Sequence, residues 1–179
     1  MRLPSFVTSL LAALLAFSGC TTVAPHTEPG PQRTRLSDPL VMFSGRLIGN
    51  HLVIETPVDR SGTAHFLVDT GSSVTLISPE FAARLGSAPS RGAPYIRVRA
   101  ASGGFATLPG VNLRRLTLGG ARFEQVQALI YDTTELSAHL GLQIDGILGF
   151  PLFRDTVLSL DYPKERLILT SPASPQLVP

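Results

Sequence analysis

Asp69-Thr70-Gly71-Ser72 directly follows the apolar run Phe66-Leu67-Val68. An apolar run of that kind reads as a buried strand, so the Asp69 carboxylate is delivered to a fixed point where a glycine turn begins. Burying an acid is costly unless it is hydrogen-bonded or paired. A carboxylate held in that way is a candidate for catalysis. Gly71 allows a tight turn that brings an N–H toward the carboxylate, and Ser72 is placed to hydrogen-bond the outer oxygen. The chemistry open to such a group is proton transfer with water. Of two carboxylates sharing one proton, one takes a proton from water and the other donates to a carbonyl oxygen. Two carboxylates about 3 Å apart do not both ionise easily, so they titrate as a pair.

Competing chemistries find no comparable pattern. His26, His51, His65 and His139 show no metal-ligand spacing, and Cys20 is the only cysteine. Neither a metal nor any other cofactor is therefore expected. There is no glycine-bracketed nucleophilic serine and no phosphate-cradling loop. The chain carries 15 basic and 13 acidic residues, for a formal net charge of +2. No basic cluster stands out, so nucleic acid is not an expected partner. Arg97, Arg99, Arg114 and Arg115 read as solvated strand faces, and His65 as a structural or surface histidine.

The elements that must position Asp69 are short apolar runs separated by Gly, Pro and Asn, an all-β pattern. Val41 to Ile48 and His51 to Val58 flank Gly49-Asn50, a two-residue hairpin turn. Thr63 to Val68 delivers Asp69, and Val74 to Ile77 is a short following strand. Ser78-Pro79-Glu80 reads as a helix start, with a capping serine, a proline at the first position and an acid at the positive end of the dipole. Tyr95 to Ala101 and Phe105 to Leu108 form a hairpin around Ala101-Ser102-Gly103-Gly104. Val111 to Leu118 and Ala121 to Ile130 form another. Thr133 to Leu140 is a short helix or loop, and Thr156 to Leu160 and Arg166 to Leu169 are closing strands.

Together these segments resemble aspartic peptidases. Phe66-Leu67-Val68-Asp69-Thr70-Gly71-Ser72-Ser73 is similar to their Asp-Thr-Gly-Ser/Ala motif, and Asp145-Gly146-Ile147-Leu148-Gly149-Phe150 to their apolar-apolar-Gly segment. Order and spacing from about Leu40 to Leu169 resemble the single-lobe, retroviral-type (retropepsin-like) group. The resemblance implies an all-β, single-lobe acid protease barrel with one or two short helices. It makes Asp69 the catalytic aspartate and Thr70 a brace across a dimer. Ile147, Leu148 and Gly149 would support the loop, and Ala101, Ser102, Gly103 and Gly104 would form a flap over a polypeptide substrate. With one Asp-Thr-Gly per chain, the second carboxylate must come from another copy, which predicts a C2 homodimer. Asp145 is the rival that could complete a dyad within one chain, although its matching position in the family is structural, as Asp161 should also be.

The ends read differently. Residues 1–19 have a basic start at Arg2 and an apolar stretch too short to span a bilayer. Phe17-Ser18-Gly19-Cys20 resembles a bacterial lipobox with Phe17 in place of the usual leucine. Cys20 would then be lipidated, anchoring the protein in the cell envelope by lipid and not by charge. The competing reading is an ordinary signal peptide with an incidental cysteine. Thr21 lacks the aspartate that retains lipoproteins at the inner membrane, so the periplasmic side of the outer membrane is the expected site where a cell has one. Residues 20–38 read as a lipidated cysteine and flexible tether, 39–170 as the protease domain and 171–179 as a disordered tail. Two functions stay open, a membrane-anchored aspartic endopeptidase and an inactive lipoprotein that keeps the fold as a peptide-binding module.

Overall fold

A computed structural model describes residues 30–59, 61–87, 89, 92–99 and 103–172. The eleven strands are β1 (Arg33–Leu36), β2 (Leu40–Ile48), β3 (His51–Pro57), β4 (Thr63–Asp69), β5 (Thr75–Ile77), β6 (Tyr95–Arg99), β7 (Phe105–Leu118), β8 (Ala121–Ile130), β9 (Gly146–Gly149), β10 (Val157–Asp161) and β11 (Arg166–Thr170). Two short helices, α1 (Pro79–Arg84) and α2 (Thr134–Leu140), interrupt them. The strands form one mixed sheet in the order β10-β11-β2-β3-β4-β9-β5-β8-β7-β6, with β1 added alongside β8. The fold is all-β with few short helices, as the sequence pattern leads one to expect.

The centre of the sheet is the part that matters for chemistry. β4 and β5 are successive in the chain but do not pair. β9 is inserted between them, parallel to β4 and antiparallel to β5. The loop 70–74 must therefore cross over the end of β9, and this is the loop that follows Asp69.

Alternation along β4 and β9 divides the interior in two. Phe66 and Leu148 enter the main core with Phe81, Phe123 and Phe153. Phe66 and Phe81 meet edge to face at 5.1 Å, and Phe123 and Phe153 at 6.4 Å. Leu67 and Ile147 turn to the opposite side, where they pack with Val53, Leu140 and Ile144 under α2. Each fully buried large side chain contributes about 1.5–3 kcal/mol, so β4 is held on both faces.

α1 starts as its residues dictate. Ser78 Oγ accepts the Phe81 N–H at 3.0 Å, Pro79 opens the first turn and Glu80 lies in it. α2 ends at Gly141 in the left-handed conformation.

Two elements differ from expectation. β1 lies inside residues 20–38, expected to be tether, so the ordered body reaches back past residue 39. Its polar sequence concealed it, because pairing with β8 uses backbone groups, and only Leu36 packs against the main core. Phe105 to Leu108 and Val111 to Leu118 form one long strand, β7. Its first part pairs with β6 and its second with β8. Pro109 sits where the partner changes, a position that tolerates a residue without an N–H.

Candidate active site

Asp69 ends β4 beside Gly149 of β9. It is half-buried, and its Oδ1 accepts the Gly71 N–H at 2.9 Å. The Ser72 N–H closes the turn onto the Asp69 carbonyl at 3.1 Å. A Cβ on Gly71 would lie 3.2 Å from Asp69 Oδ1, so glycine leaves room for the carboxylate to fold back over the turn. Thr70 is exposed and makes no side-chain hydrogen bond among the described residues.

Ser72 supports the loop in another way than expected. Its hydroxyl donates to the Val74 carbonyl at 2.8 Å instead of to the Asp69 carboxylate. It therefore holds the loop's crossing, and the outer carboxylate oxygen is left open to solvent chemistry. The Ser72 carbonyl accepts the Phe150 N–H at 3.1 Å, which ties the crossing loop to the end of β9.

Ile147, Leu148 and Gly149 lie in β9 beside β4. Leu148 is fully buried in the main core, while Ile147 is half-buried on the opposite side, the side that Asp69 and Leu67 also face by alternation. Gly149 is sterically required. A Cβ there would run into the Val74 carbonyl oxygen and come within 3.0 Å of the Ser72 carbonyl oxygen. Gly146 meets the same constraint from the Leu76 carbonyl.

Asp145 is bound into the scaffold. Its side chain is 3% exposed and sits 2.5 Å from an Arg84 nitrogen. Its Oδ2 accepts the His65 N–H at 2.9 Å, its own N–H donates to the His65 carbonyl, and its carbonyl accepts the Ser78 N–H. One residue thus joins β4, the start of α1 and the end of α1. Asp145 is level with His65 and Asp69 with Gly149, so the two acids are four residues apart along one ladder, about 13 Å at strand spacing. They do not form a dyad within one chain.

Arg84 was not visible as a site residue in the sequence. It is 61 positions from Asp145, with no spacing rule to connect them. The flap expectation falls on the β6–β7 hairpin. Gly103 is exposed with φ +89°, and Gly104 is exposed beside it. Ala101 and Ser102 lie outside the described residues, as does Cys20. A groove of about 1750 Å³ runs between the loop after α1, the base of this hairpin and β8. Its wall reaches Val74 and Ile96, and Asp69 is not among the described residues that line it. Among the described residues no group of three or more His, Cys, Asp or Glu could hold a metal ion.

A family model described as aspartyl protease matches residues 57–152, more than half of the chain, a span that includes both the Asp69 loop and the β9 support. The chain belongs to the aspartyl protease family. Its fold is that of the retropepsin-like group. The crystal structure of a retropepsin-like aspartic protease from Rickettsia conorii superposes with a TM-score of 0.53 at 20% identity, covering 78% of this chain and 94% of that one. An aspartic proteinase from Irpex lacteus is more distant, with a TM-score of 0.40 and 14% identity over 76% of this chain and 48% of that one. No curated protein sequence matches the chain. For this aspartyl protease the structure places Asp69, Thr70, Gly71 and Ser72 on one loop, with Ile147, Leu148 and Gly149 packed beside it.

Proposed function

We propose that this aspartyl protease is an endopeptidase anchored by acyl chains on Cys20, and that its active form is a homodimer in which each copy supplies one Asp69 carboxylate. The observation that carries the reading is the solitude of Asp69. Its side chain accepts a bond from Gly71 within its own loop, while Asp145 is committed to Arg84 and His65 at the far end of the ladder. Thr70 and Phe150, which flank the loop and the end of β9, are exposed in the single chain. A two-fold partner would cover them and bring the twin carboxylate opposite.

In that dimer one Asp69 carboxylate takes a proton from water, and the oxygen attacks the peptide carbonyl carbon. The other Asp69, protonated, gives its proton to the carbonyl oxygen. Collapse of the tetrahedral species breaks the C–N bond. The departing amine takes the proton that the first Asp69 drew from water, a hydroxyl proton of the tetrahedral species returns to the other Asp69, and the new carboxyl product holds the water oxygen. Thr70 of each copy would brace the two loops, and closure of the β6–β7 hairpin would exclude water. The substrate is a flexible or unfolded polypeptide segment lying in extended form, with half-buried Ile147 offering an apolar wall on the Asp69 side. The site of action is the cell envelope, at the periplasmic side of the outer membrane where a cell has one.

The test is cleavage of a diverse peptide library by the chain from residue 20 onward, from about pH 4 to about pH 7, beside Asp69→Asn, with mass measured in solution. Cleavage by a dimer that disappears in the variant supports the reading. Equal cleavage by the variant sinks it.

A further inference from the structure

Between Glu80 and Glu124 the chain has no acidic residue, yet it carries Arg84, Arg91, Arg97, Arg99, Arg114, Arg115 and Arg122. Among the described residues, two of these meet an acid: Arg84 meets Asp145, and Arg115 meets Asp59 at 3.6 Å. The rest of the acid-free stretch is dominated by the β6–β7 hairpin. Its register pairs Tyr95 with Pro109, Arg97 with Thr107 and Arg99 with Phe105 on one face. Ile96 with Leu108 and Val98 with Ala106 occupy the other.

The two faces have different chemistry. Ile96 lines the groove while 41% exposed, and Val98, Ala106 and Leu108 are half-buried, so that face is the more covered of the two. The opposite face presents Tyr95 at 71% exposure and Phe105 at 63%, with the Arg97 guanidinium stacked 4.0 Å from the Phe105 ring centroid. A merely solvated strand face has no reason to hold two large aromatic rings in water. Aromatic rings interleaved with arginines that meet no acidic side chain among the described residues match the interfacial layer of a bilayer. There the rings sit at headgroup depth and the guanidinium groups meet phosphate.

We infer that the outward face of the β6–β7 hairpin, Tyr95, Arg97, Arg99 and Phe105, is a docking surface for anionic phospholipid headgroups. The inference goes beyond the proposed catalysis and does not depend on it, since none of the four residues belongs to the Asp69 loop. It also revises the expectation that these arginines only solvate a strand and that lipid alone makes the membrane contact.

The experiment is flotation with vesicles of phosphatidylcholine alone or with about a third phosphatidylglycerol. It uses the chain from residue 20 onward with Cys20→Ser, which retains every described residue and cannot be acylated. Binding is expected with the anionic vesicles only and should fall as salt rises. The double variant Arg97→Gln, Arg99→Gln should partition roughly thirtyfold less, on the basis of about fivefold per arginine at such a surface. Tyr95→Ser with Phe105→Ser should also weaken it, whereas exposed Arg46→Gln should not. Circular dichroism melts confirm that each variant is folded. No binding to the anionic vesicles, equal binding to neutral ones, or indifference to the hairpin variants would overturn the inference. So would hairpin-dependent capture of an acidic peptide in place of vesicles.

Discussion

The Asp145 carboxylate lies 2.5 Å from the Arg84 guanidinium and takes the His65 backbone N–H at 2.9 Å. The pair locks α1 onto the strand that carries Asp69, and it uses Asp145 as a rivet. Asp145 is buried while Arg84 reaches solvent, so Asp145→Ala mainly leaves the His65 N–H without its acceptor and should cost about 1–3 kcal/mol of unfolding free energy. Urea titration checks this. Asp145→Asn keeps most of the shape and should cleave peptides at the parent rate per folded molecule. Complete loss of cleavage in folded Asp145→Asn would instead make Asp145 a member of the dyad.

Gly149→Ala tests the crossing of the Asp69 loop over β9. The added methyl meets the Val74 carbonyl, so the loop or β9 must shift, at about 1–3 kcal/mol. A displacement near 1 Å at a catalytic group lowers turnover about a hundredfold. Urea titration and peptide cleavage read the two effects, and an unchanged midpoint with full activity would show that the crossing is looser than described.

Ser78→Ala removes the cap of α1 and should lower stability by about 1 kcal/mol. The Ser78 backbone N–H to Asp145 is unaffected, so cleavage per folded molecule should stay at the parent value. A thermal melt alongside an activity assay separates these. Loss of activity without loss of stability would contradict the assignment of Ser78 to scaffold.

What could be read from the chain was local. Gly49-Asn50 announced a hairpin, Ser78-Pro79 a helix start, and Phe66 to Asp69 a strand ending in an acid, because each depends on neighbours in sequence. What could not be read depends on distant partners. Arg84 gains meaning only beside Asp145. β1 is a strand because the edge of β8 is available, and its own side chains are mostly polar. Ser72 faced a choice between the Asp69 carboxylate and the Val74 carbonyl, and only the path of the loop over Gly149 decides it. The charge asymmetry was present in the composition of residues 81 to 123, but its two-faced display needed the register of β6 on β7.

Asp161 supplies a pH test. Its carboxyl is held below the ordinary 3.8, first by the hydrogen bond from Arg166 and also by Lys164, against an opposing desolvation. A depressed folded value means that the contribution to stability is present above the ordinary value and is lost as pH falls through the folded one. Asp161→Asn should therefore melt slightly below the parent at neutral pH, and the difference should close as pH falls below the ordinary 3.8. A gap that widens in acid would contradict the pairing.

The central claim, one Asp69 from each of two copies, is tested most directly by mixing. Asp69→Asn alone should retain less than about a thousandth of parent cleavage. Parent and variant are combined in equal amounts, allowed to exchange subunits, and assayed at fixed total concentration. If only dimers with two aspartates are active, cleavage falls to about a quarter of the all-parent value. Cleavage that falls to about half, in proportion to the parent chain present, would mean that each chain acts alone and would contradict the account.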